Sequence, residues 1–167
     1  MISKKMEKAL NEQIKEELYS ASIYMAISAW ASSKDFDGTA HFFMLQTQEE
    51  VGHAMKMYNY LFEVGGQAVI PGLDKPPVKY KDLNDVFQKA LEHEKYISGR
   101  INKLVTLARQ ESDYATEYFL QWFVTEQVEE EANASEILEK LKLAGDSSGL
   151  LFLDAELSKR QIVEDTA

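Results

Sequence analysis

Apolar residues recur three and four positions apart along most of the chain, the spacing that places side chains on one face of an α-helix. Four long helices are predicted, followed by a shorter fifth helix over 146–160. Ser3 and Asp82 are predicted to cap helix starts, and Gly145 to end a helix. The chain is therefore expected to be all-α. The four long helices are predicted over about 3–33, 38–64, 82–110 and 113–144.

The connections between the predicted helices differ in length. The turn at 34–38 and the break at 111–113 are short, which makes the helices that they join antiparallel neighbours. The stretch 64–80 contains all three prolines and is long enough to carry the chain back along the whole bundle. The second and third helices would then be parallel. This is the ferritin-like variant of the four-helix bundle, predicted here as one domain over 1–167.

Each predicted inward face is mostly apolar but contains an acidic residue near the middle of its helix. Helices of similar length bring their midpoints to one level, so these acids are expected to converge in the core. No lysine or arginine lies on the stripes at that level. Unpaired buried carboxylates cost several kcal/mol each. They are therefore either protonated or bound to cations, and bound metal is the simpler account. The acids are Glu17, Glu50, Glu94 and the pair Glu126 and Glu130.

The residue types narrow the choice of metal. His53 follows Glu50 by three positions and would be the only imidazole among carboxylates, a set that suits iron or manganese. Glu50 lies between the other ligands and could bridge two ions, as in di-iron carboxylate proteins.

His41 and His93 fall off the inward stripes and are predicted at the surface or at an interface. The fourth stripe is predicted to contain Phe119, Phe123, Glu126, Glu130, Asn133, Ile137 and Leu141.

Charge and composition exclude several classes of protein. A net charge of −10 argues against nucleic acid as a partner, because its phosphate backbone requires a basic face. The absence of cysteine excludes disulfides and thiolate metal sites. The N-terminus lacks the apolar run of a signal peptide, and no run is long enough to span a membrane. A cytoplasmic protein is the expectation.

Taken together, these elements resemble the bacterial non-haem ferritins over essentially the whole chain. The matching residues are Glu17 with Tyr24 seven positions later, "EEVGH" at 49–53, Glu94, and "EQVEE" at 126–130. The resemblance implies a ferroxidase that oxidises Fe(II) with dioxygen or peroxide and stores the iron as ferric mineral. It also implies a hollow shell of 24 subunits.

The resemblance also implies the ligands of a di-iron centre and a third iron site. Glu17, Glu50 and His53 would hold the first iron, and Glu50 with Glu94 the second. Gln127 would lie beside the iron pair. Tyr24 and Trp122 match aromatic residues near the centre, with Tyr24 a candidate electron donor. Glu130 would be an extra ligand to the pair. A third iron site would be formed by Glu49, Glu126, Glu129 and Glu130.

Two departures separate the chain from relatives of that family. Haem-containing bacterioferritins carry a second E-x-x-H on the fourth helix, where this chain has Glu129, and a haem-ligating methionine where it has Val51. No haem is therefore expected. Rubrerythrins need a cysteine-rich iron domain, which this sequence cannot form.

Shell contacts are predicted from apolar residues beyond the inward stripes. The fifth helix is predicted to make such a contact, because the bundle would already be filled. A second group of apolar residues lies on the first and second helices, outside the inward stripes. About half of this group would widen the core. The rest would form a dimer face. This group contains Tyr19, Ile23, Ala26, Trp30, Phe42, Tyr58 and Phe62.

Two other functions fit the same pattern. A di-iron oxygenase would act on an organic substrate and would need a pocket beside the metals, where Tyr24, Tyr60, Phe123 and Ile97 are expected instead. A non-catalytic shell subunit would only support mineral growth, against which the intact ligand set argues.

Overall fold

A computed structural model describes residues 2–70 and 72–161 of the chain, so Met1, Pro71 and residues 162–167 of the predicted domain lie outside the described residues. The described part is all-α, without strands, and the predicted fold class is confirmed. The last helix ends three residues earlier than predicted. The helices are α1 (Lys4–Ser32), α2 (Asp37–Glu63), α3 (Leu83–Gln110), α4 (Tyr114–Ala144) and α5 (Ser147–Leu157).

The helix ends follow the capping residues predicted from the sequence. The side chain of Ser3 accepts from the backbone N–H of Met6 at the start of α1, and Asp82 caps α3 in the same way. Gly145 ends α4 with a φ of 67°, a left-handed value that glycine adopts without strain. Each cap satisfies backbone groups that have no partner inside the helix.

The core consists of two apolar clusters separated by a polar level. Helix α1 packs along α2 and α3 along α4, with α1 also touching α3. One cluster contains Tyr24, Phe43 and Phe87, and the other contains Leu10 and Phe123. The mid-helix acids lie between the two clusters, so the surrounding apolar packing fixes the level at which they meet.

The predicted inward face of α4 is wrong in part. Asn133 is exposed and Glu126 is only half-buried, whereas Gln127 and Ala134 are buried. The rest of the predicted face is correct, because Phe123, Ile137 and Leu141 are buried, so the error is confined to the level of Glu126 and Asn133. Apolar residues at Phe119 to Phe123 flank both the predicted face, with Glu126, and the observed face, with Gln127. The local pattern therefore does not decide between the two faces. Packing against α3 decides, and it directs Gln127 and Glu130 to the polar level.

Helix α5 is more deeply embedded than predicted. Leu153 and Leu157 belong to one of the core clusters, while Leu151 and Phe152 are exposed, at 62% and 75%. The bundle therefore accepts one side of α5, and only the other side is free for a further contact. Of the second apolar group, Phe42 is buried and Phe62 exposed, and the remainder are half-buried. No helix within the described residues is both long and apolar enough to cross a membrane.

Candidate metal centre

Glu17 of α1 and the pair Glu50 and His53 of α2 form a first group of candidate ligands. All three are buried, and one ligand atom from each lies within 4.8 Å of the others. His53 Nδ1 is 3.5 Å from Glu50 Oε2. The two residues share a face of α2 because they are three positions apart.

A second group shares Glu50 with the first. It joins Glu50 to Glu94 of α3 and Glu130 of α4, again with one oxygen from each within 4.8 Å and with all three carboxyl groups buried. One carboxylate with two oxygens can contact two cations. The four long helices thus bring five candidate ligands together, with Glu50 common to both groups. Glu126, which was expected to converge here as well, belongs to neither group.

Several oxygens of this cluster lack a hydrogen-bond partner in the described part of the chain. They are Glu17 Oε2, both carboxyl oxygens of Glu50, and Glu130 Oε2. Buried polar atoms are almost always hydrogen-bonded, because leaving one unsatisfied costs about 1–3 kcal/mol. Four such atoms at one point are the donor set that a hard or borderline cation requires.

Burial perturbs the acids of this cluster. Desolvation, helped by the neighbouring carboxyl of Glu50, raises the pKa of Glu17 from 4.5 to about 8. Burial likewise raises the pKa of Glu50, Glu94 and Glu130. Without a cation, the folded chain therefore favours protonated carboxyl groups at neutral pH, and metal binding must release protons.

The perturbed acids predict a pH-dependent stability of the metal-free protein. The pKa of Glu17 is higher in the folded chain than its ordinary value of 4.5. Glu17 is protonated in both the folded and the unfolded chain below pH 4.5, so it does not lower stability there. As the pH rises from 4.5 toward 8, the free energy of unfolding falls by about 1.4 kcal/mol per pH unit. Melting temperatures between pH 5.5 and 8 should fall, and Zn²⁺ should reverse the fall. A Glu17→Gln variant should show a shallower slope; an equal slope would contradict the expectation.

A chain of two hydrogen bonds orients the carboxyl group of Glu17. Gln13 Nε2 donates to Glu17 Oε1 at 2.9 Å, and Arg100 Nε donates to Gln13 Oε1 at 2.9 Å. Because Arg100 can only donate, it fixes which end of the Gln13 amide faces Glu17. Sequence reasoning missed both residues. The available signal for Gln13 was its position one helical turn before Glu17 on the same face.

Gln127 and Tyr24 hold Glu94 from the other side. Gln127 Nε2 donates to Glu94 Oε2 at 3.1 Å, and the Tyr24 hydroxyl donates to Glu94 Oε1. The ring of Trp122 meets the edge of His53 with centroids 5.3 Å apart. The three residues that the resemblance placed near the centre therefore all touch one of its candidate ligands.

The candidate third-site residues line a pocket next to this centre. The pocket has a volume of about 450 Å³, and Glu130 links it to the second ligand group. Arg160 also lies there and pairs with Glu49 at 2.9 Å, a contact that sequence reasoning did not anticipate. The pocket is lined by Glu49, Glu126, Glu129, Glu130, Asn133, Arg160 and Gln161.

The two remaining histidines have different surroundings. His41 is exposed, as predicted. His93 is half-buried between α3 and α1, with Nε2 2.7 Å from Ser20 Oγ, and burial lowers its pKa to about 4. His93 was predicted at the surface or at an interface. It lies instead between two helices of the same chain, because α1 packs over this face of α3.

The fold and the buried carboxylate cluster together define a ferritin-like protein. A family profile described as a ferritin-like domain matches residues 7–144, and the chain belongs to the ferritin family. It is 42% identical over 160 residues to a bacterial non-heme ferritin of Bacteroides fragilis, which covers 96% of this chain and all of the relative. The predicted resemblance to that branch is confirmed.

Similarity to other proteins extends over the same range. A probable bacterial non-heme ferritin-like protein of Haemophilus influenzae is 42% identical over 158 residues, covering 94% of this chain and 96% of the relative. The crystal structure of an open pore ferritin from the archaeon Archaeoglobus fulgidus superposes with a TM-score of 0.95 at 45% identity. That match covers 96% of this chain and 99% of the other. Iron storage is the function that this family implies.

Proposed function

We propose that the protein oxidises ferrous iron at the buried carboxylate cluster and stores the ferric product. The observation that carries the proposal is the sharing of Glu50 by two groups of candidate ligands. Four carboxyl oxygens without hydrogen-bond partners among the described residues support it, because cations would satisfy them.

In this proposal each ligand group holds one ferrous ion. Glu17, Glu50 and His53 bind the first ion, and Glu50 with Glu94 binds the second. Glu130 is an additional ligand. Binding releases protons from carboxyl groups whose pKa is raised by burial. Each ferrous ion then gives one electron to dioxygen, so that two electrons reduce dioxygen to the level of peroxide. Peroxide itself would take the same two electrons.

Tyr24 is proposed as an electron donor to this chemistry. Its hydroxyl donates a hydrogen bond to Glu94, so the phenol lies one carboxylate away from the second ion. The ring would give an electron to the peroxide-level oxygen, and the hydroxyl proton would pass to Glu94. Gln127 holds the other oxygen of Glu94 and keeps it oriented while Tyr24 reacts.

The acidic pocket is proposed as the third iron site. Carboxylates from Glu49, Glu126, Glu129 and Glu130 meet there without an imidazole among the lining residues. Such all-oxygen surroundings suit ferric as well as ferrous iron. Glu130 belongs both to this pocket and to the second ligand group, and it would connect the two sites.

Storage also requires a container, and we propose a homo-oligomeric shell of 24 subunits in the cytoplasm. Exposed apolar side chains support an oligomer, namely Leu143 at 86% and, on α5, Leu151 and Phe152. Size-exclusion chromatography should show a particle far larger than the 19.0 kDa chain. After aerobic loading with Fe²⁺, iron should co-elute with that particle. A monomer that elutes without iron would contradict storage.

An oxygenase acting on an organic substrate is disfavoured, because the large pocket beside the centre is lined by four glutamates and the apolar cavity there is small. The cavity between Tyr24, Phe43, Phe87 and Glu94 has a volume of about 20 Å³. That is roughly the space of a single water molecule. Dioxygen is of comparable size, whereas a carbon substrate would require the aromatic side chains to move.

A further inference from the structure

Arg160 follows α5 and reaches back to α2 at the edge of the acidic pocket. Its Nη2 donates to both carboxyl oxygens of Glu49, at 2.9 and 3.2 Å, and Nη1 donates to Gln46 Oε1. The guanidinium also lies over the ring of Phe42, 4.5 Å from its centroid. The carbonyl oxygen of Arg160 is 3.0 Å from His41 Nε2. Four residues of one helix thus hold this arginine.

The position of Arg160 matters because the pocket is strongly acidic. Among the described residues that line it, Arg160 is the only cation and faces four glutamates. The side chains of Arg160 and Glu49 are 23% and 24% exposed, so water screens their interaction only partly. The stacking over Phe42 and the bond to Gln46 orient the guanidinium toward Glu49.

We propose that Arg160 is a built-in competitor for cations in the acidic pocket. The inference rests on the proposed third iron site. A metal ion at Glu49 would bind the same two carboxyl oxygens that accept from the guanidinium, and the two positive charges repel each other. A bound ion therefore competes with Arg160 for Glu49. The arginine lowers the affinity of the pocket and makes it a site of transient rather than tight binding.

The segment that carries Arg160 has its own attachment to the bundle. Leu153 and Leu157 are buried, and Asp154 accepts hydrogen bonds from Gly38 and Thr39. Helix α5 can therefore stay docked when the guanidinium leaves Glu49. Replacement of Arg160 should for that reason change the charge of the pocket without undocking α5.

Calorimetric titration of the metal-free protein with Zn²⁺ tests this role. The wild type should bind two Zn²⁺ per chain tightly, one for each ligand group, and further Zn²⁺ weakly. In Arg160→Gln the weak phase should tighten about fivefold or more, because one repelling charge is lost and Glu49 is freed. Arg160→Lys keeps the charge and should lie between the two. Circular dichroism confirms that each variant is folded.

A second variant separates competition from a structural role. In a Glu49→Gln background, Arg160→Gln should change the weak phase much less, because the contested carboxylate is gone. A weak phase that is absent, unchanged or weakened in Arg160→Gln would overturn the inference. If the wild type binds no Zn²⁺ tightly, the proposed di-iron centre is contradicted instead. Failure of the inference and failure of the proposed function therefore give different results.

Discussion

Replacing Glu50 and His53 by alanine is expected to slow aerobic oxidation of Fe²⁺ by about a hundredfold or more. Glu50 belongs to both ligand groups, and its loss removes an oxygen from each. Changes to residues that merely support metal ligands already cost about 10–100-fold, so loss of two ligands should cost at least as much. The rate is measured by the ferric absorbance after mixing with Fe²⁺ in air.

The same double variant should remain folded. Removing Glu50 takes away a buried acid that desolvation makes costly to ionise, as its raised pKa shows. Its melting temperature should change little without metal and should no longer rise when Zn²⁺ is added. Glu63→Ala, an exposed site on the same helix, is the matched control and should behave as wild type. Unchanged oxidation in the double variant would favour a non-catalytic shell subunit.

Replacing Asp154 by alanine is expected to lower the free energy of unfolding by about 2–4 kcal/mol. Helix α2 has no side-chain cap of its own at Phe36. Asp154 of α5 supplies one instead, accepting from the backbone N–H of Gly38 at 2.9 Å and from that of Thr39 at 2.7 Å. The Thr39 hydroxyl donates to it as well, at 2.7 Å.

A melting temperature lower by about 5–15 °C would correspond to that loss. Asp154→Asn keeps an acceptor oxygen without the charge and should fall between the wild type and alanine. Glu156→Ala is the matched control, because Glu156 is exposed on the same helix and its ion pair with Lys140 lies at the surface. A melting temperature of Asp154→Ala within about 1–2 °C of that control would contradict the expected contribution of this α2 cap to stability.

Helical periodicity was sufficient to predict much of the bundle. The inward faces of α1 and α3 were predicted correctly, because the main apolar stripe of each contains one acid, Glu17 or Glu94, that is buried with it. Helix α4 has apolar and acidic residues on neighbouring faces, and the prediction chose the face containing Asn133. Only packing against α3 distinguishes the two, and that information is not local.

The contacts that sequence reasoning missed join residues far apart in the chain. Arg160 contacts Glu49, and Arg100 contacts Gln13, although neither pair has a sequence pattern that relates its members. Asp154 has the same character, because an acid near the end of the chain resembles any solvated surface acid. Such pairs become visible only when the path of the backbone is known.

The most direct test of the proposed centre counts iron and dioxygen together. Metal-free protein is loaded anaerobically with increasing Fe²⁺ and then mixed with dissolved oxygen, while oxygen uptake and ferric absorbance are followed. The rapid phase should saturate at two Fe²⁺ per chain, one for each ligand group around Glu50, and should consume one dioxygen for every two irons. A rapid phase that does not saturate at two irons, or that persists without Glu50 and His53, would contradict the proposed di-iron centre.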